Sequence, residues 1–472
     1  MSARKVSRRQ LLRGAGLAVA GAGMAALVGC QPKVVEVEKI VTETVVTTEE
    51  KVVEVEVERE RVVEKVRDAV IVRMHSRLGD GQRVVYDDRI EALQEDHPHI
   101  RVNVEEFPAG SADYGPKIVA LVAGGAVGDI TWTAIGSGSF QFLAGNRAFA
   151  PIDEFVAVDD TLDMDDFYPR TVSAFRLGPN LEEGIGELFG LPTLSHGVQT
   201  IMIFNRDLIE DAGVAPPEDD WTREQLMDMA KQMTQGDVFG FLPATGDYSN
   251  LRNQTLPFGG EIISDDGTQS QLEDEQVKQG LRWVWNCFFG DQVAPTPAQV
   301  VGGLNQMFLA KRLACYQTGG WGILIKDVVQ DEFNWDMAMM PLGPAGNRGG
   351  HLHCDSFSMF QQSKNKPEAF ELIKYLTDKE AGVGYGTLMG LASRYSVFED
   401  PRITQNEMLV RIGQTTAEAF EHRGSANLRK QELQTTVSAL FSPVWTGDQV
   451  LDDAYFAEAS NELQIFLDKP FD

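Results

Sequence analysis

Two histidines, a cysteine and an aspartate fall within five residues at His351-Leu352-His353-Cys354-Asp355. These are metal-ligating types. Structural zinc usually draws on a second ligand cluster, however, and none is visible in the sequence, so no metal is expected. Read as a strand, the segment puts His351, His353 and Asp355 on one face and Leu352 and Cys354 on the other, which suits hydrogen bonding to a ligand. Asp159, Asp160, Asp163, Asp165 and Asp166 are clustered but lack the glycine of a calcium loop, and read as a solvated acidic loop. There is no G-x-S-x-G nucleophile elbow and no G-x-x-x-x-G-K-[ST] phosphate loop. Gly184-Ile185-Gly186 does not continue into a dinucleotide fingerprint, because Phe189 takes the place of the third glycine. No catalytic residue and no cofactor is expected.

A different chemistry is written at the N-terminus. Ser7-Arg8-Arg9-Gln10-Leu11-Leu12 precedes a small-residue apolar run that ends in Leu27-Val28-Gly29-Cys30. A basic start, a mildly apolar middle and a small residue before the cut make an export signal over residues 1–29. The Arg8-Arg9 pair resembles a twin-arginine (Tat) signal. Leu-Val-Gly-Cys resembles a lipobox, which implies cleavage before Cys30 and a lipid on its sulfur. The apolar run, about 16 residues, is short for a membrane span.

The charge follows the same division. The 472 residues hold 42 basic and 70 acidic side chains, a net −28. Residues 1–29 carry five basic groups and no acid, whereas residues 69–472 carry 30 basic against 59 acidic. Such a body offers no broad basic surface for nucleic acid. With 43% hydrophobic residues it is not a disordered chain, and it has no set of membrane spans. Between signal and body, residues 30–68 are a Val/Glu-rich tether with a single proline, Pro32, and no aromatic residue. Val53, Val55 and Val57 alternate as in a strand, while Val34, Val37, Val41 and Val45 step as on a helix. A charged spacer of roughly 125 Å when extended at ~3.3 Å per residue is one reading; an oligomerising stalk on an otherwise monomeric protein is the other.

The elements that must position a site begin at Ala69. Ala69–Met74 reads as a strand, followed by a helix ending near Asp96, a strand at Ile100–Val104, a helical run at Pro116–Gly124 and a strand end at Asp129–Thr133. The alternation resumes with a strand at Ile201–Phe204 and a helix at Arg206–Ala212. Trp221-Thr222 is a helix entry, with Thr222 as N-cap and Gln225 completing a capping box, so Trp221 is expected to pack rather than bind. Asn205 is expected to fix a turn. Alternating strands and helices predict an α/β fold with mixed sheets, and some 400 residues exceed a single core, so two lobes are expected.

In family order, the body then resembles extracellular solute-binding proteins of bacterial ABC importers (family 1, the carbohydrate-binding cluster that includes maltose-binding proteins). The motifs are Phe204-Asn205-Arg206-Asp207-Leu208 with Ala212-Gly213, the Pro216-Pro217 to Leu226 helix start, Phe258-Gly259-Gly260 with Asp266-Gly267, Phe308 to Trp321, Met340-Pro341-Leu342-Gly343-Pro344, and Ser363-Lys364-Asn365-Lys366. The resemblance implies a two-lobed periplasmic-binding-protein fold (type II-like) with a ligand cleft between the lobes. Lobe 1 would take residues 69–195 and 346–395, lobe 2 would take 196–345, and a C-terminal helical segment, 396–472, would lie mainly on lobe 2. Crossings are expected near Ser195–Val198, near Pro341–Leu352 and after Arg394. The resemblance further implies a carbohydrate ligand, permease subunits as partners, no enzymatic activity and a lipid-anchored place on the outer face of the cytoplasmic membrane. A polyamine or peptide ligand is the alternative within the same fold, and a hydrolase with two carboxylates astride a sugar lies outside it.

A sugar site needs aromatic faces and fixed polar groups. Trp132 follows a strand at a position that is commonly aromatic in the family. Trp321 follows Gly319-Gly320, which allows close approach to a ligand. Trp445 follows Ser442-Pro443 in the C-terminal segment. Trp283 and Trp285 read as packing residues. The polar candidates are His75, Ser76 and Arg77 after the first strand, His196 at the first crossing, His353 and Asp355 at the second, and Arg394 near the third. Cys287, Cys315 and Cys354 permit at most one disulfide, and no pair is indicated.

Overall fold

The computed structural model describes residues 69–469 apart from 78–80, 108–110, 136–138, 180–181, 219 and 421–428. Arg8, Arg9, Cys30 and the tether lie outside the described residues. The strands are β1 (Val70–Arg77), β2 (Ile100–Phe107), β3 (Ile130–Ala134), β4 (Arg176–Leu177), β5 (Glu187–Leu188), β6 (Leu191–Gly197), β7 (Ile201–Asn205), β8 (Phe239–Leu242), β9 (Leu313–Thr318), β10 (Trp335–Met339) and β11 (Leu352–Met359).

The first lobe is built on a five-stranded sheet in the order β2-β1-β3-β11-β6. Its β1 pairs in parallel with β2 and β3, while β11 runs antiparallel to β3 and β6. Helices cover both faces, so β3 is buried at every position and reads as an unbroken run rather than an alternating one. The second lobe has a four-stranded sheet in the order β10-β7-β9-β8. Ile201, Ile203, Met337 and Met339 face one apolar cluster, and Met202, Phe204, Ala338 and Met340 face another, the two-residue period of a sheet packed on both sides.

Local chemistry fixes the joints. The Thr222 hydroxyl accepts from the Gln225 backbone N–H while the Gln225 side chain accepts from the Thr222 N–H, the expected capping box. Trp221 is buried and donates its indole N–H to the Met339 carbonyl at 2.8 Å, a packing role. Asn205 caps the helix Arg206–Asp211 by accepting from Leu208 N–H. Cys287, Cys315 and Cys354 are free thiols, all buried.

Two crossings join the lobes side by side. The first is the short step from β6 to β7; the second runs from β10 to β11. Val198 N–H donates to the His351 carbonyl at 2.9 Å, and Met340 N–H donates to the Thr200 carbonyl at 2.8 Å. Gly350 makes this pairing possible: at φ +94° a side chain there would run into the Thr200 methyl and come within 2.9 Å of the Val198 carbonyl oxygen.

The return expected after Arg394 can be followed as far as Phe420. Directly after Arg394 the chain stays beside the first-lobe sheet, where the helix Glu407–Glu418 packs on β6. Phe420 lies at the crossings: its N–H donates to the Gly350 carbonyl and its carbonyl accepts from the Leu352 N–H. The helices Lys430–Thr446 and Asp453–Leu467 then join the second lobe. The helix 407–418 turns an apolar face with Leu409 and Ile412, both buried, and lies against β6.

Candidate functional site

The carboxyl-terminal ends of β1 and β3, the amino-terminal half of β11 and the end of β6 bring five of the expected residues together. Antiparallel pairing sets His353 directly opposite His196, and Asp355 opposite Ala134 at the end of β3. His353 Nε2 lies 2.9 Å from Asp355 Oδ1, so its N–H donates to the carboxylate. The His196 ring sits 5.3 Å from that of His353 and 5.0 Å from Trp321, the latter edge to face. The Arg77 guanidinium lies 4.6 Å over the Trp132 ring. Trp321 arrives from the second lobe, on the 3-10 turn Gly320–Ile325. Gly320 allows that turn to seat against the first lobe, since Ile412 and Leu391 fill the space a side chain would need.

The electrostatics are those of a dry site. Burial pushes the Asp355 carboxyl up, but the His353 hydrogen bond, the nearby Arg77 charge and the Trp132 indole together hold it below the usual carboxylate range. The indole approaches without completing a hydrogen bond, and Trp132 Nε1 has no partner among the described residues. Burial, reinforced by His353, drives His196 down to about 3, so this ring is neutral at any cellular pH. Its Nδ1 is likewise buried and unpartnered. Unsatisfied buried polar atoms cost about 1–3 kcal/mol each. A polar ligand beside His196 and Trp132 would restore such bonds.

Several expected residues are placed differently. Trp132 does not offer an open ring: it is 1% exposed, packs edge to face on Tyr114 at 5.4 Å and carries Arg77 on its other side. The covered faces of β3 explain this, and Trp132 is a platform for Arg77. Arg394 is locked away from the cluster, donating to Thr377 and Asp163 carbonyls and to Asp166 while stacked on Phe167 at 3.8 Å. It pins the acidic loop, whose Asp159 also pairs with Lys374 at 2.5 Å. Trp445 lies in the second lobe's helical core, stacked on Phe441 and beside Phe288. Pro443 does not open a loop there, because it falls in the last turn of the helix, which closes on Gly447 at φ +85°. His75 is a core residue whose Nε2 accepts from Gly128 N–H at 2.7 Å. Ser76 is buried and donates to the Arg77 carbonyl. His351 turns toward the second lobe, where Asn253 accepts from its backbone and meets its ring. Among the described residues, no group of three or more His, Cys, Asp or Glu side chains could hold a metal.

A set of amides on the second-lobe side has no signature in the sequence. Gln199, Asn250, Gln254 and Gln317 form a buried chain of hydrogen bonds beside the first crossing. Glutamines scattered through loops and helices carry no spacing signal, so only the fold assembles them.

Comparison with known proteins agrees with this architecture. The family profile described as bacterial extracellular solute-binding protein matches residues 88–409. A binding protein of Brucella abortus (strain 2308) is 24% identical over 315 residues, 62% of this chain and 69% of its own length. Among solved structures, an ABC substrate-binding protein from Listeria monocytogenes in complex with cycloalternan superimposes with a TM-score of 0.74 at 18% identity, covering 84% of this chain and 99% of that one. The GacH receptor of Streptomyces glaucescens, solved unliganded and with acarbose, gives a TM-score of 0.71 at 20% identity over 84% of this chain and 99% of its own.

Proposed function

Because this chain belongs to the family of bacterial extracellular solute-binding proteins, we propose that it captures a sugar or oligosaccharide between its lobes and delivers it to the permease of an ABC importer. The observation that carries the reading is the ring of buried, unpartnered polar atoms and aromatic side chains at the interlobe crossings, with His196 and Trp132 on one side and Trp321 reaching over from the other. Sugar hydroxyls both donate and accept, so one ligand class satisfies a neutral imidazole and an indole N–H together. Arg77 and Asp355 supply charged partners, which strengthen hydrogen bonds to hydroxyls. Similar folds bind cycloalternan, acarbose and D-mannitol, which favours a polyhydroxylated ligand over a polyamine or peptide. Closure of the lobes about the paired crossings would exclude water and present both lobes to the permease. Arg8-Arg9 and Cys30 support export through a twin-arginine signal, followed by lipid anchoring at Cys30, with residues 31–68 as the tether to the membrane.

A thermal-shift panel tests the ligand class. A ligand at 100 times its dissociation constant stabilises the folded state by about 2.7 kcal/mol, a rise of several degrees in Tm. At least one of maltotriose, mannobiose, cycloalternan and D-mannitol is expected to produce it. A rise with spermidine or a peptide and none with any polyol would overturn the sugar reading.

A further inference from the structure

Gln199 stands in the middle of the first crossing and holds a left-handed backbone at φ +61°. For a residue with a side chain this conformation costs on the order of 1 kcal/mol and persists where its surroundings impose it. Here they do. The Gln199 carbonyl accepts from Gln317 Nε2 at 2.7 Å, and the neighbouring Val198 and Thr200 are bonded to the second crossing. Its side chain is just as constrained. Gln199 Nε2 donates to Asn250 Oδ1 at 3.1 Å, and Asn250 Nδ2 donates to the Thr245 carbonyl at 3.1 Å. A backbone carbonyl can only accept, so the orientation of both amides is set from that end. Gln199 Oε1 is the end left over, buried and without a donor among the described residues.

The adjacent amides repeat the pattern. Gln317 Oε1 accepts from Ala244 N–H at 3.1 Å and from Gln254 Nε2 at 2.5 Å, and Gln254 Nε2 also donates to the Ala244 carbonyl. Gln254 Oε1 is then left unpartnered as well. The two leftover glutamine atoms, Gln199 Oε1 and Gln254 Oε1, are both acceptors, and Asn253 Nδ2 is a leftover donor beside them. The first-lobe side contributes the Trp132 indole N–H, a donor only. Because Oε1 is an acceptor, a ligand group that reaches Gln199 must donate to it.

We propose that Gln199 is a specificity-determining ligand contact, its Oε1 accepting a hydrogen bond from one hydroxyl of the bound sugar. The assignment deepens the sugar-binding function proposed above and rests on it. A site built to pair a hydroxyl rejects the analogue that lacks it, because the acceptor is then left buried and unpaired.

Calorimetric titration of the full chain with maltotriose, and with mannobiose and D-mannitol as further probes, tests this. Gln199→Met keeps side-chain length and removes the acceptor; it is expected to weaken binding about tenfold, one neutral hydrogen bond plus part of a desolvation cost. One monodeoxy analogue of the bound probe is expected to lose about the same factor against the wild type and no further affinity against Gln199→Met. Gln199→Gly, which relieves the positive φ, keeps the test open should the methionine variant fold poorly. Wild-type binding that both variants leave within twofold, or a monodeoxy penalty equally large in the variants, overturns the assignment of Gln199 while leaving sugar binding intact. Failure of the wild type to bind any of these three probes or cycloalternan overturns the sugar reading and this contact with it.

Discussion

Asp355→Asn is expected to weaken sugar binding by about a hundredfold and to lower the unfolding free energy by about 2–4 kcal/mol at pH 7. The reason lies in what the carboxylate holds in place. Asp355 is 2% exposed, accepts from His353 Nε2 and sits within the field of Arg77, whose guanidinium rests on Trp132. Removing one member of a buried pair leaves the other partly uncompensated, which is why breaking such pairs costs more than they contribute. The stability loss falls toward the lower part of the usual range because His353 keeps about 21% of its side chain in solvent. Asparagine preserves shape, so the change reports on charge and on the orientation of His353. Denaturant unfolding and calorimetric titration measure the two quantities separately. Binding within tenfold of wild type would remove the His353–Asp355 pair from the ligand-organising centre.

Acidification should act through His196. Its folded pKa lies near 3, and an unperturbed histidine titrates near 6.5. Between those values the unfolded chain binds the proton and the folded chain does not, so stability rises with pH across the window. The contribution is complete above pH 6.5 and is lost as pH falls toward 3. It amounts to about 2–3 kcal/mol by pH 4.5 and on the order of 4 kcal/mol by pH 3. Burial depresses His75 in the same sense, so the wild-type curve contains both residues. The difference between wild type and His196→Gln isolates one of them. Chemical unfolding at pH 7 and pH 4.5 is expected to show the variant losing about 2–3 kcal/mol less than wild type over that interval. Parallel losses in both proteins would mean that His196 is protonated in the folded state and is not the dry, neutral ring the structure describes.

The sequence disclosed the frame of this molecule better than its interior. The strand beginning at Val70, the capping box at Thr222 and Gln225 and the Asn205 turn could be read because each rests on local rules: period, cap chemistry and turn residues. The seat of the helix Glu407–Glu418 could not, since whether it covers β6 or the second lobe depends on which apolar surface stands open once the sheets have formed. The tryptophans divide for the same reason. Trp321 reaches the cluster because small glycines let its turn approach the other lobe, a feature visible in Gly319-Gly320. Trp132 and Trp445 look alike in sequence, yet one lies beneath an arginine and the other inside a helical core. Arg394 carried no mark separating a ligand-binding guanidinium from one that ties a loop down. Gln199 carried none at all: its importance comes from a backbone angle and from neighbours more than fifty residues away.

The central claim is capture of a sugar without chemical change. Purified full-length protein incubated with a labelled mixture of oligosaccharides, separated from free sugar by gel filtration and examined by mass spectrometry, tests it most directly. One sugar class retained at about one molecule per chain, with masses identical to the input, is the predicted result. No retained sugar, or shortened products in the mixture, would contradict it.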